Sequence, residues 1–266
     1  MSVLKRSLFF LFLFTLSYTV NAQNDFCGIK NTSFSEHEKL TFRVYYNMWH
    51  IWVPAGDAIF SIKDEVLNGR KVYHISGDGR TLSSYEWFFK VRDLYETYID
   101  QETMLPLKFD RHVSEGSTKF ENHVTFNHKT NQATSTHGTY KVPNCVQDVL
   151  STIYYARNID YSKYKPGDKI PFSLFLDDQV YNLYIRYVGK ERITTHYGTF
   201  NTIKIAPLLI QGTIFSGGEK MVVWVGDDAN HLPVRVESPI LVGNITVDMM
   251  QAASLRNPMA ALVKKK

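Results

Sequence analysis

The sequence predicts a mainly β protein, in which two similar antiparallel meanders form a curved sheet or open barrel with one central helix packed against it. Three observations lead to this prediction. Many short runs alternate apolar and polar residues and are separated by turn residues. One segment has helical spacing, and a strand–turn–strand motif occurs twice, 127 residues apart.

Alternation of period two is clear from Leu40, where Leu40, Phe42 and Val44 point to one side and Thr41 and Arg43 to the other. Turn signals such as Asn68-Gly69 separate the runs, and the acidic pairs Asp177-Asp178 and Asp227-Asp228 also stand where turns are expected. The further predicted strands are 58–62, 71–76, 95–99, 107–112, 122–126, 180–188, 199–205, 221–225, 234–237 and 241–247.

A single helix is predicted over residues 144–158. Val146, Val149, Leu150 and Ile153 follow helical spacing, and Asn144 is a plausible N-cap. Residues 248–266 are rich in Ala and Met and are expected to form a frayed helical tail.

The repeated motif consists of a strand, an Asp, four residues, and then Leu-Pro. It places Asp100 before Pro106 and Asp227 before Pro233. The Asp is expected to accept backbone hydrogen bonds in the turn, and the Pro to begin the returning strand. We therefore expect one domain, 23–266, made of two related halves, about 38–130 and 168–247, joined by the helix. A chance recurrence of a common hairpin pattern is the alternative.

Residues 1–22 are predicted to be a cleavable signal peptide. Lys5 and Arg6 precede a short apolar run, and Val20-Asn21-Ala22 offers a cleavage site. The remaining chain has no second long apolar stretch, so no transmembrane segment is expected in it. Removing the two bases lowers the net charge from +4 to +2, which gives no argument for nucleic-acid binding.

Two cysteines, Cys27 and Cys145, are available for a disulfide if the chain is exported to an oxidising compartment. Two separate cysteines, one in a tail and one buried, are the alternative reading. The sequence alone does not decide between them.

No catalytic or metal-binding motif is present. The nearest histidines, His123 and His128, are five apart on a predicted strand and would face opposite ways. We therefore expect a protein that is not an enzyme and holds no metal or cofactor. Asp148, Ser151, Tyr154 and Arg157 are expected to form a structural polar cluster on the helix, with a buried tie between Asp148 and Arg157.

Aromatic residues are concentrated in two connections of the predicted sheet. They could line an apolar pocket at the rim of a curved sheet, although packing in the core is the commoner role of such residues. The candidate ligand-binding residues are Tyr46, Trp49, Trp52, Trp87 and Phe88.

Several motifs resemble a known bacterial envelope family, number 3108 of the domain-of-unknown-function series. The motifs are Val53-Pro54-Ala55-Gly56-Asp57-Ala58, Tyr98-Ile99-Asp100 with Leu105-Pro106, Gln147-Asp148-Val149-Leu150-Ser151 with Tyr154-Tyr155-Ala156-Arg157, and Val223-Trp224-Val225 with Leu232-Pro233-Val234. The resemblance implies a β-rich protein exported to the periplasm, or to the periplasmic face of the outer membrane, of a Gram-negative bacterium. It carries over no catalytic residue. More distantly, the Asp-turn-Leu-Pro hairpin is similar to that of LolA-type lipoprotein carriers, whose half-open barrel holds acyl chains over a helix.

Three hypotheses follow. The first is a non-enzymatic envelope protein that binds a lipid or other apolar ligand in a curved sheet. The second is a structural or interaction protein with a filled core, whose edges or tail bind another envelope protein. The third is a hydrolase with a scattered site that no motif reveals.

Overall fold

The computed structural model describes residues 27–48, 51–87, 89–211, 216–240 and 243–266, and the predicted signal peptide lies outside them. In this part of the chain one α helix, α1 (Val149–Ala156), accompanies an array of strands. The strands are β1 (Lys39–Met48), β2 (Ile51–Leu67), β3 (Arg70–Thr81), β4 (Arg92–Asp100), β5 (Pro106–Glu115), β6 (Thr118–Asn127), β7 (Gln132–Ser135), β8 (Thr139–Lys141), β9 (Lys169–Leu176), β10 (Gln179–Thr194), β11 (Gly198–Pro207), β12 (Leu209–Gln211), β13 (Ser216–Gly218), β14 (Val222–Gly226), β15 (Pro233–Pro239), β16 (Asn244–Ala253) and β17 (Leu262–Lys265).

Most strands belong to one large antiparallel sheet, in the order β8-β7-β6-β5-β4-β3-β2-β1-β16-β15-β14-β11-β10-β9, and β17 pairs with β11 as a branch. The first meander runs from β1 to β8 and the second from β9 to β16, and the pair β1–β16 joins them. The predicted fold class is confirmed. The origin of the two halves by duplication stays a prediction.

Successive strands end alternately at two opposite ends of the rolled sheet. Leu67, Asp100 and Asn127 lie at one end, which we call the closed end, whereas Met48 and Thr81 lie at the other, which we call the open end. Antiparallel pairing requires this alternation, because each strand returns along its neighbour.

The sheet rolls up so that its two terminal strands approach each other through side chains. The Phe175 ring of β9 lies 6.1 Å from Phe126 and 5.6 Å from Tyr140. Arg111 forms an ion pair with Asp177, and His137 Nδ1 lies 2.7 Å from Asp178 Oδ2. Among the described residues no backbone pairing joins β8 to β9.

Gln147 covers part of the outer edge of β9 by a short parallel pairing. Its backbone N–H donates to Ser173 O at 2.9 Å, and its carbonyl accepts from Phe175 N at 2.9 Å. The segment before α1 is therefore held as an extra piece of strand.

The helix begins later than the sequence predicts. Asn144 does not cap it: Asp148 is the N-cap, and α1 ends at Ala156. Helical spacing from Val146 is real, but the pairing of Gln147 with β9 keeps the backbone extended until Asp148. Tertiary contacts override local propensity at this point.

The prediction of a helical tail over residues 248–266 is wrong. Its first part continues β16, where Asp248 lies opposite Arg43 and Met249 opposite Phe42, and its last part forms β17. Met249 is completely buried. The free edge of β1 provides backbone partners that an isolated Ala- and Met-rich segment does not have.

Both predicted hairpins are present, β4–β5 and β14–β15, and Pro106 and Pro233 each begin the returning strand. In the first turn Asp100 Oδ1 accepts from Glu102 N at 3.2 Å and Thr103 N at 2.8 Å. In the second turn this role belongs to Asp228, which accepts from Asn230 N at 3.0 Å, whereas Asp227 pairs with Lys190. The role predicted for Asp227 is therefore wrong by one residue, because β14 ends at Gly226.

The N-terminal residues 27–38 are tied to the segment before α1 by a disulfide between Cys27 and Cys145, whose Cα atoms are 5.5 Å apart. Of the two readings that the sequence left open, the structure has the bridge. The two cysteines are 118 residues apart in sequence, so the bond closes a long loop.

Replacing both cysteines, Cys27→Ser with Cys145→Ser, is expected to destabilise the oxidised protein by about 4–5 kcal/mol, because the unfolded chain regains the entropy of an open loop. Urea unfolding of the wild type and the variant measures the change. A reducing agent should lower the midpoint of the wild type only. Equal midpoints of the oxidised wild type and the variant would contradict the bridge.

Candidate functional site

The interior of the barrel is filled towards the closed end. Helix α1 buries Tyr154 and Tyr155 there, and Phe34 from the N-terminal residues packs edge-on against Tyr154 at 5.1 Å. Ile62 and Ile75, register partners on β2 and β3, complete this core from the sheet side. This half of the concave face is therefore occupied by the chain itself.

Towards the open end the residues of the inner face are less completely buried. A row of register partners crosses seven neighbouring strands, and most of its members are apolar. The row consists of Ile205, Val223, Val236, Val247, Val44, Gly56 and Thr81. Its four valines, which we call the valine row, are only half-buried, although they face the same side as the buried residues Phe42 and Met249.

Gly79 marks the point on β3 where the filling stops. A Cβ at Gly77, the preceding inner position, would lie 3.4 Å from Leu150 of α1, whereas a Cβ at Gly79 would have no atom within 4 Å. Open space therefore lies in front of Gly79. We call the space in front of the valine row and Gly79 the open chamber.

One wall of the open chamber is polar. Asp93 and Tyr95 precede Thr97 in β4 and face the same inner side as Thr97, and Asp93 Oδ1 accepts from Ser114 N at 2.9 Å. Arg111 lies opposite Tyr95, and its side chain is 8% exposed. Burial raises the pKa of Tyr95, so it stays a neutral phenol at physiological pH. The chamber thus combines an apolar wall with a polar one.

Of the five predicted ligand-binding aromatics, the structure describes three, Tyr46, Trp52 and Trp87. Tyr46 follows Val44 on the inner side of β1, and its register partners are Val53 and Ile245. Trp52 pairs with Asn47, which places it on the opposite side of the strand, and it is 53% exposed. Trp87 is 82% exposed in the β3–β4 connection. Trp49 and Phe88 lie outside the described residues, and the ligand role of all five aromatics stays a prediction.

Asp148 connects α1 to the sheet. Its Oδ1 accepts from Ser151 N at 2.8 Å, its own N–H donates to Ser151 Oγ, and its Oδ2 accepts from Thr97 Oγ1 at 2.6 Å. The carboxyl is fully buried, and burial raises its pKa to about 6. Asp148 and Ser151 therefore form a capping box that also fixes the helix to β4.

Arg157 holds the other end of α1. Its guanidinium makes a bidentate pair with Glu38, at 2.6 and 2.9 Å, and donates to Ser33 O and to Asn230 O. It also lies 5.2 Å from the centre of the Tyr154 ring. Arginine and glutamate are both almost completely buried.

The predicted tie between Asp148 and Arg157 is therefore wrong. Asp148 and Arg157 are nine positions apart, as the N-cap and C-cap residues at opposite ends of the short helix. Sequence reasoning missed Glu38, Thr97 and Gly79. Glu38 and Thr97 acquire their roles from residues far away in sequence, and Gly79 acquires its role from the open space in front of it, so no local pattern marks any of them.

The described residues contain no group of three or more His, Cys, Asp or Glu side chains arranged to hold a metal ion. His123 Nδ1 lies 2.8 Å from Asp110 Oδ1 on the outer face, in a network of hydrogen bonds. Within the same ranges, no helix has the length and apolar character needed to cross a membrane.

A family model described as a protein of unknown function, DUF3108, matches residues 41–250. The chain belongs to this family. The predicted resemblance is thereby confirmed. None of the curated proteins compared with the DUF3108 chain matches it.

Among solved structures, the DUF3108 chain is similar to a β-barrel-like protein of the domain of unknown function DUF1849 from Brucella abortus. The TM-score is 0.55 at 7% identity, over 85% of this chain and 99% of that chain. At such low identity the likeness concerns the fold alone.

Two weaker likenesses have TM-scores too low to carry an argument. A candidate lipoprotein from Parabacteroides distasonis gives 0.38 at 13% identity, over 84% of this chain and 100% of that chain. A candidate exported protein with a YmcC-like fold from Bacteroides fragilis gives 0.35 at 10% identity, over 85% and 99%.

Asp148→Asn is expected to change how stability depends on pH. The folded-state pKa lies above that of the unfolded chain, so the contribution of Asp148 is complete below about pH 4 and is lost as the pH rises through about 6. Relative to the variant, the wild type should lose about 2–3 kcal/mol between pH 4 and pH 7. Urea unfolding at each pH measures this. Glu102→Gln, at an exposed carboxylate, should show no such trend, and a constant difference for Asp148→Asn would contradict the assignment.

Arg157→Met is expected to destabilise the protein by about 3–5 kcal/mol, because Glu38 is left buried without its partner. Adding Glu38→Gln should recover part of the loss, since the uncompensated charge is removed. Arg80→Met, which breaks a half-exposed pair with Asp78, is the control and should cost less than about 1 kcal/mol. Unfolding in urea gives all values. Similar losses from the two arginines would show that Arg157 does not have this role.

Proposed function

We propose that this DUF3108 protein is a non-enzymatic, exported envelope protein that holds a lipid or other amphipathic ligand in the open chamber. The observation that carries the proposal is the valine row, an apolar surface on the concave side of the sheet that the chain itself leaves half-buried. Half-exposed apolar walls in a concave site are typical of small-molecule binding.

The contrast between the two halves of the interior supports this role. Leu150, Tyr154 and Phe34 fill the closed end, so α1 forms a floor for the chamber. The polar wall with Asp93, Tyr95 and Arg111 suits the head group of an amphipathic molecule, and the valine row suits its chain. The floor and both walls are built on strands and a capped helix, which makes the site preorganised.

Export to the periplasm, or to the periplasmic face of the outer membrane, is part of the proposal. The bridge between Cys27 and Cys145 supports it, because disulfides persist in oxidising compartments. The predicted signal peptide, residues 1–22, agrees with this location.

A second candidate is a structural or interaction protein that binds another envelope component. The filled closed end favours this second candidate, because a structural or interaction protein needs no internal cavity. The two candidates differ in whether the open chamber is occupied when the protein is isolated.

Gly79→Phe tests the proposal by filling the chamber. A side chain at Gly79 meets open space, so the variant should fold and lose a bound lipid-sized mass that the wild type carries. Native mass spectrometry and organic extraction of the protein, purified from the periplasm without detergent, measure the ligand. Asp78→Phe, which places the same ring on the outer face of β3, is the matched control and should keep the ligand.

A wild type that shows only its bare mass, both as isolated and after incubation with phospholipid vesicles, would contradict ligand holding. The second candidate would then be favoured. A ligand retained equally by Gly79→Phe would place the site elsewhere.

A further inference from the structure

A separate cleft of about 630 Å³ lies at the closed end of the sheet. It is bordered by the β2–β3 turn, the β4–β5 turn and the residues that follow β6. Its apolar lining comes from Leu67, Leu105, Leu107 and Phe126. This volume falls in the range of small-molecule sites, and antiparallel alternation places the cleft at the other end of the barrel from the open chamber.

The three turns around the cleft are each fixed by local structure. Asn68 and Gly69 have positive φ values, 51° and 79°, as a tight hairpin turn requires. Asp100 caps the second turn, and Asn127 Oδ1 accepts from Lys129 N at 3.1 Å in the third. The borders of the cleft therefore need little rearrangement to receive a ligand.

The charges of the cleft have one sign. Arg70, Lys108 and Lys129 line it, and among the described lining residues none is acidic. Arg70 and Lys108 pair with Asp100 and Asp110, which lie outside the lining and are nearly buried. Lys129 is exposed and adds a further positive charge.

His128 helps to shape the cleft and adds no charge to it. Its Nε2 lies 2.7 Å from Pro106 O, and since a carbonyl only accepts, this nitrogen carries the proton. Burial lowers the pKa of His128, so the ring is neutral at physiological pH. The ring stacks on Phe126 at 6.0 Å and so holds the apolar lining in place.

We propose that this cleft binds a single-chain amphiphile with an anionic head group, its chain against Leu67, Leu105 and Leu107 and its head beside Lys129. An apolar surface next to cations, with no acid in the lining, is complementary to that class of molecule. A cationic or neutral amphiphile gains nothing from the lysine and arginine side chains. The site is independent of the open chamber.

Isothermal titration of the mature protein with dodecanoate, below its micelle concentration, tests the proposal. Saturable binding is expected, with an affinity about tenfold weaker in Lys129→Glu, a change of about 1.4 kcal/mol. Lys119→Glu makes the same charge change near the open end of β6 and should leave the affinity unchanged. Dodecyltrimethylammonium should bind far more weakly than dodecanoate.

Several outcomes overturn the proposal. These are no saturable binding, equal affinity of the wild type and Lys129→Glu, or equal binding of the cationic amphiphile. Binding that Gly79→Phe abolishes and Lys129→Glu leaves intact would assign dodecanoate to the open chamber and remove the cleft as a site. Failure of the cleft is thus distinguishable from failure of the chamber.

Discussion

The buried guanidinium of Arg157 is the constraint on which the closed end depends. It pairs with Glu38, donates to the carbonyls of Ser33 and Asn230, and so joins the N-terminal residues, the helix and the β14–β15 turn in one place. A charge taken out of water must be compensated almost completely, or the fold loses several kcal/mol. The position of α1 is therefore specified by electrostatics at Arg157 and by the cap at Asp148, not by apolar packing alone.

This arrangement divides the interior into two halves that differ in how completely their residues are buried. The closed end is dense, because α1, Phe34 and the sheet bury one another there. Towards the open end the same strands continue with valines and glycines, and among the described residues no second α helix covers them. Half-exposed apolar surface of this kind has a free-energy cost in water. The location of the helix thus decides which part of the concave face stays half-exposed.

Much of the fold is predictable from the sequence because strands and tight turns have local signals. The alternation from Leu40 and the turn at Asn68-Gly69 needed no tertiary information. The start of α1 and the strand at residues 248–253 were missed, since each depends on a backbone partner far away in sequence, β9 for Gln147 and β1 for Met249. The candidate site is less predictable still. Gly79 is important because a Cβ there would have no atom within 4 Å. Glu38 is important because it pairs with Arg157, 119 residues away in sequence.

The parallel pairing of Gln147 with β9 has a consequence for the behaviour of the protein at high concentration. An open sheet has two terminal strands, and bare backbone groups on such strands can recruit strands from other molecules and start aggregation. Gln147 occupies one such edge opposite Leu174 of β9, close to the bridged Cys145, and the strand at the other edge, β8, is only three residues long. The chain can thus keep a rolled but unsealed sheet without offering neighbouring molecules a long template for intermolecular β-pairing.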